Sequence, residues 1–165
     1  MRNLIDLIKE YTSEPVPVQI EYLIRDLGIE LNKKAELDPD IAGQIELENG
    51  RYKISINRND HYFRQRFTMA HELGHYIFHR ELLDSGCIVD NRLYRNTNSS
   101  AQVTELHESE ANHFAANLLM PLHHIKKDFE EALSESLPEE KALARVAAKW
   151  QVSPAAMRIQ LGLRK

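Results

Sequence analysis

The sequence holds a single cysteine, Cys87, among 165 residues. No internal disulfide can form, and a reducing compartment is the expected home. Long apolar runs are missing as well. No stretch approaches the ~20 apolar residues that a membrane span requires. The N-terminal region carries Asp6, Lys9 and Glu10 where a signal peptide would have its apolar segment. Basic charge is not in excess: 21 Lys and Arg against 25 Asp and Glu give a formal net charge of -4. That balance argues against wholesale nucleic-acid binding, though it leaves room for a local basic patch. Internal repeats, heptads and linkers of separating composition are also lacking. What remains is one domain over residues 1–165, cytoplasmic, with 42% apolar residues to fill an ordinary core.

Against that background one stretch stands out. His71-Glu72-Leu73-Gly74-His75 is a His-Glu-x-x-His sequence. On a helix, residues four apart share a face, so His71 and His75 direct two imidazoles at one point. Glu72 lies about 100° round the helix, within reach of a water there without being a ligand itself. Zinc favours nitrogen donors in a tetrahedron, and a catalytic site adds a third protein ligand and keeps one position for water. Apolar Phe63, Phe67, Ala70, Ile77 and Phe78 give the stretch a buried helical face. His79 continues the i, i+4 series but lies about 12 Å along the axis from His71, at 1.5 Å per residue. It reads as a helix C-terminal cation or a surface residue.

The third ligand is sought downstream. Thr104 is a suitable N-cap for a helix running to about Met120, before Pro121. Glu108, Ala111, Asn112 and Ala115 form a stripe on it, and the two alanines permit close approach to another helix. Glu108 is the favoured ligand, and Asn112, one turn on, is placed to orient a ligating histidine. Glu110 points about 160° away from Glu108 and is the competing carboxylate. His107 and His113 read as surface or groove residues.

The remainder supplies a scaffold. Two helices are expected before Gly28, then a strand at Ile29 and Leu31. Alternating runs over residues 41–48 and 51–57 flank Asn49-Gly50, a strong hairpin signal. The expected architecture is α+β: a small antiparallel sheet of about three strands packed on the metal-bearing helix, with a helical C-terminal half. An edge strand of such a sheet can hold an extended substrate. Residues 84–103 have loop composition and read as a lid or part of a substrate groove, with Cys87 an ordinary loop cysteine rather than a thiolate capping the metal. Residues 126–131 read as a solvated helix face. The last stretch, about 138–165, resembles a helix-turn-helix, with Ser153-Pro154 as N-cap and N1 of its second helix. From residue 141 onward it contains Lys141, Arg145, Lys149, Arg158, Arg164 and Lys165 and no acid. The expectation is that these helices brace the metal-bearing ones, with Trp150, Val152, Met157 and Leu161 buried.

Taken together, residues 66–79 and 108–121 resemble the ImmA/IrrE family of zinc metallopeptidases, and weaker likeness extends over about residues 15–162. The resemblance implies zinc held by His71, His75 and a glutamate, with Glu72 as general base. It also implies site-specific cleavage of a helix-turn-helix repressor from a mobile-element, toxin-antitoxin or stress-response locus. Two other readings stand beside it: a metal-containing protein that sequesters such a regulator without cutting it, and a DNA-binding protein using the C-terminal helices. Direct nucleic-acid binding is the less expected of these, and no membrane is involved.

Overall fold

The structure is a computed structural model, and it describes residues 3–13, 17–86, 89–90 and 104–164. Helices α1 (Leu4–Ser13) and α2 (Ile20–Asp26) come first. α2 buries Ile20, Leu23 and Ile24, an i, i+3, i+4 stripe, and the chain leaves it through Gly28 at positive φ. Strands β1 (Glu30–Ala35), β2 (Gly43–Glu48), β3 (Arg51–Asn57) and the two-residue β4 (Val89–Asp90) form one sheet in the order β1-β3-β2-β4.

The hairpin lies where the sequence places it. β2 and β3 pair antiparallel from Glu48↔Arg51 to Gly43↔Ile56, and Asn49 and Gly50 both have positive φ, as a two-residue hairpin turn requires. The wholly antiparallel sheet expected from the sequence is corrected, because β1 runs parallel to β3. The reason is positional. The chain leaves β1, skips one strand position to lay down β2, and the tight turn folds β3 back into the gap, where it points the same way as β1.

Asn57 fixes the connection that makes this possible. It is buried, and its Nδ2 donates to the carbonyl of Ile41 at 2.9 Å and to that of Asp38 at 3.2 Å. The segment before β2 is thereby pinned to the end of β3, and β2 itself packs against α3 (Tyr62–Phe78). Contact there is close: a Cβ on Gly43 would meet the Thr68 methyl at 2.5 Å.

α3 is the centre of the fold. Every residue from Thr68 to Tyr76 is buried, the mark of a helix covered on all sides. Met69 and Leu73 join Ile45, Ile54 and Ile56 of the sheet in one core. On another side lies α5 (Glu105–Leu119), with Ala111 and Ala115 fully buried. α3 supplies the matching gap: a Cβ on Gly74 would sit 3.0 Å from Ala111 Cα. Small residues on both helices let the axes approach, which puts side chains from α5 within reach of His71 and His75. The short α4 (Arg80–Asp84) follows α3.

The C-terminal half is helical: α6 (Leu122–Ser134), α7 (Glu139–Trp150) and α8 (Pro154–Leu161). Ser153 caps α8 by accepting from the Ala156 amide at 3.1 Å, and Gln151 takes the left-handed conformation that ends α7. Trp150, Val152 and Met157 are buried in the same core, with Leu161 half-buried against it. Residues 126–131 are not a wholly solvated face. Phe129 is buried, and Asp128 accepts from Trp150 Nε1 at 2.7 Å. Among the described residues no helix is long and apolar enough to cross a membrane.

Candidate active site

Three side chains from two helices converge. His71 Nε2 and His75 Nε2 are 3.0 Å apart. Glu108 of α5 brings Oε2 to 3.3 Å from His71 Nε2 and Oε1 to 3.2 Å from His75 Nε2. All three residues are buried or nearly so. Glu72 is fully buried one residue after His71, and the helical turn puts it about 60° from His75.

Hydrogen bonds behind the rings decide which nitrogens face the cluster. Asn112 Oδ1 lies 2.9 Å from His71 Nδ1. An amide oxygen only accepts, so that ring nitrogen carries the proton and Nε2 offers a lone pair. His75 Nδ1 lies 2.9 Å from His79 Nδ1, and His79 Nε2 lies 2.8 Å from Glu110 Oε2. With His75 donating from Nδ1, His79 accepts there and donates from Nε2 to the carboxylate. Both ligand-type histidines then present Nε2 as an acceptor.

Two lone pairs and a carboxylate facing one another need a positive charge between them. Donors 2.0–2.1 Å from a tetrahedral zinc are about 3.3 Å apart, close to the spacings here. Two imidazoles and one carboxylate are also a donor set that zinc accepts. The residues fit a metal ion.

The metal-free cluster titrates accordingly. Burial alone would raise the Glu108 pKa, but hydrogen bonds and charge from His71 and His75 outweigh it and hold the carboxyl at about 2. Burial would lower the His71 pKa, but Glu108, Glu72 and Asn112 together push it up. His75 goes the other way, lowered by burial and by the neighbouring His71 and His79 against the pull of Glu108. The two imidazoles share one carboxylate, and His71 is the ring that takes the proton.

The sequence-derived residues fall as follows. His71, His75 and Glu108 are brought together, with Glu72 beside them and Asn112 behind His71. Glu110 does not join the triad but faces His79. The reading of His79 as a terminal cation or surface residue is corrected: it is only 6% exposed and backs His75. Its distance from His71 does not matter, because His79 has only to reach His75, one turn away. The i, i+4, i+8 series of histidines was the signal. His107 is half-buried and completes the cap of α5, donating its backbone N–H to Thr104 Oγ1 at 3.4 Å and accepting at Nδ1 from the Thr104 N–H at 3.2 Å. Cys87 lies outside the described residues, as does most of the 84–103 loop.

Residues 22–161 match the Peptidase_M78 family, described as the IrrE N-terminal-like domain. The chain belongs to this family. A curated relative, "Metallopeptidase ImmA" of Bacillus subtilis (strain 168), is 24% identical over 142 residues, covering 80% of this chain and 74% of that one. The ImmA/IrrE resemblance read from residues 66–79 and 108–121 is borne out. Membership makes the chain a metallopeptidase by family, and the His71, His75 and Glu108 cluster is a place for the metal in it.

Proposed function

We propose that the protein is a zinc-dependent endopeptidase of the cytoplasm that cuts a helix-turn-helix repressor at one or a few positions. The observation that carries this reading is the convergence of His71, His75 and Glu108 on one point, with Glu72 buried beside it. His71, His75 and Glu108 hold the ion, while Asn112 and His79 hold the two rings in the required tautomer. Bound zinc supplies a Lewis acid and lowers the pKa of a water towards ~7. Glu72 would accept a proton from the attacking water as the water's oxygen bonds to the scissile carbonyl carbon. The same carboxyl then gives the proton to the leaving nitrogen as the C–N bond breaks, so Glu72 ends as it began.

The regulator as substrate rests on the family likeness. It is supported by what the C-terminal helices offer. Arg145 pairs with Glu135, Lys149 with Asp128 at 2.8 Å, and Arg158 with Glu139 and Glu140. Three of the six basic residues visible in the sequence are therefore paired with acids from α6, α7 and the residue after α6. On α8, Ala155 and Ile159 are exposed, an apolar pair one turn apart. Such a face suits a protein better than the phosphate backbone of DNA.

The test is incubation of the zinc-loaded chain with helix-turn-helix regulators from its own genome, beginning with any encoded beside its gene. One or two discrete fragments are expected, lost on chelation and with Glu72→Gln. A stable complex with an intact regulator would favour sequestration instead. Rapid digestion of unrelated unfolded proteins would point to a general peptidase.

A further inference from the structure

A cavity of about 720 Å³ opens against α3 just before the metal-type residues. Its walls are mostly carbon: Ala42, Phe63 and Phe67 on the side of the sheet and α3, and Val152, Pro154 and Ala156 from the α7–α8 turn. We propose that this cavity is a specificity subsite for a large apolar side chain of the polypeptide substrate, within two residues of the scissile bond, and that the α7–α8 turn is its far wall. The inference rests on the peptidase reading above and adds the class of residue that the enzyme selects.

Position is the first argument. Phe67 and Thr68 line the cavity and lie four and three residues before His71, on the same helix face. Four residues of helix advance about 6 Å. An extended peptide advances about 3.3 Å per residue, so a chain laid along α3 with its carbonyl at the His71, His75 and Glu108 cluster reaches the cavity one or two residues away.

The chemistry of the walls is the second. The two ionisable lining groups are already engaged. Arg64 pairs with Asp60 at 3.2 Å, and His61 Nδ1 accepts from the Phe63 amide at 3.2 Å as the N-cap of α3. These contacts use only Arg64 Nε and His61 Nδ1, at the rim beside the exposed Arg64, and the remaining walls are apolar apart from Thr68 and Ser153. Thr68 is buried with its methyl towards Gly43. A carbon-lined space with ample room for a large side chain favours an aromatic or branched aliphatic one, worth roughly ten- to a hundredfold in affinity over alanine. It also gives α7 and α8 a role in the peptidase site itself: they close the subsite that the catalytic helix opens.

The probe is a set of short peptide hydroxamates, which chelate zinc through the hydroxamate, with Phe, Leu, Ala or Asp one or two residues away. Affinity for the zinc-loaded chain is read by calorimetry, with no cleavage needed. Phe or Leu at one of the two positions is expected to bind at least tenfold more tightly than Ala there, and Asp more weakly still. Ala156→Phe, which narrows the cavity from the α8 side, should weaken that preference at that position while zinc affinity, measured by chelator competition, is kept. Phe67→Ala, which enlarges it, should shift the preference towards the larger side chain. Equal affinities across the set, or a preference that neither variant moves, overturns the subsite. Failure of the wild-type chain to cut any regulator, with the preference intact, would sink the regulator as substrate and leave the subsite standing.

Discussion

The Nδ1 atoms of His75 and His79 lie 2.9 Å apart, and that contact fixes the proton positions of both rings. One must donate and the other accept. His79 reaches the Glu110 carboxylate through Nε2, so its proton is there, and Nδ1 is left to accept from His75. Outer partners of this kind are typically worth about 10- to 100-fold in metal affinity. His79→Ala is expected to weaken zinc binding by about that factor in chelator competition. Glu110→Ala should cost less, because the carboxylate is half-exposed and water can replace it. Glu108→Ala should abolish tight binding. Loss of metal from the Glu110 variant alone would make Glu110 the ligand and refute the assignment.

In the proposed mechanism Glu72 separates binding from chemistry. Its replacement by Gln keeps the shape and removes the proton acceptor. Zinc content should be unchanged, and the rate of peptide hydrolysis should fall by about 10²- to 10⁴-fold. A variant that holds zinc and still cuts at the wild-type rate would place the base elsewhere.

Much of this site was legible in the sequence because it depends on helical spacing alone. His71 and His75 are four apart, Asn112 follows Glu108 by four, and Ala111 and Ala115 announce a close helix contact. The hairpin was legible for a similar local reason, the Asn49-Gly50 turn. What could not be read depends on non-local placement. The direction of β1 relative to β3 is decided by which strand occupies the gap, and no residue in β1 encodes it. The pairing of His79 with Glu110 joins residues 31 apart in the chain. The basic run after residue 141 looked free because its acidic partners, Asp128, Glu135, Glu139 and Glu140, all precede it.

Gly74 is the other half of the Ala111 contact and has a testable cost. In an exposed helix, Gly→Ala gains about 1 kcal/mol. Here the new Cβ would sit 3.0 Å from Ala111 Cα and 3.3 Å from its carbonyl oxygen, so backbone must move. Gly74→Ala should therefore destabilise by about 1–3 kcal/mol in denaturant unfolding, the range for an overpacked core. It should also weaken zinc, since any shift of α5 carries Glu108 with it. An increase in stability with unchanged zinc affinity would show that the helices are not in close contact.

Metal binding should begin to weaken with acid above the ordinary histidine pKa of 6.5. A ligating His71 must be neutral, yet in the metal-free protein its pKa is raised from 6.5. Zinc must displace that proton, so affinity is full at high pH and falls as pH drops through the raised value, beginning above 6.5. Glu108, held at about 2, stays ionised throughout and contributes nothing to this slope. Asn112→Ala removes one of the groups that raise His71 and should move the onset to lower pH. Chelator competition across this range checks both. An affinity that is flat down to pH 6.5 would mean that His71 carries no proton to displace.

The C-terminal helices are structural first. Trp150 is buried, packs in the common core, and donates from Nε1 to Asp128 at 2.7 Å. Replacing it by Ala should cost about 3–5 kcal/mol, the usual loss for a buried Trp. Deleting α7 and α8 exposes Leu143, Val146, Val152 and Met157 partners throughout that core, so the shortened chain should fail to fold or to hold zinc. DNA binding by the whole chain should be weak, because Arg145, Lys149 and Arg158 are already paired with carboxylates. Each phosphate neutralised by a free cation would add about 0.9 to the slope of log affinity against log salt. A shallow slope with duplex DNA is therefore expected from fluorescence anisotropy over a salt series. A steep slope, lost on deletion of α7 and α8 from a chain that remains folded and zinc-loaded, would instead make these helices a DNA-binding module.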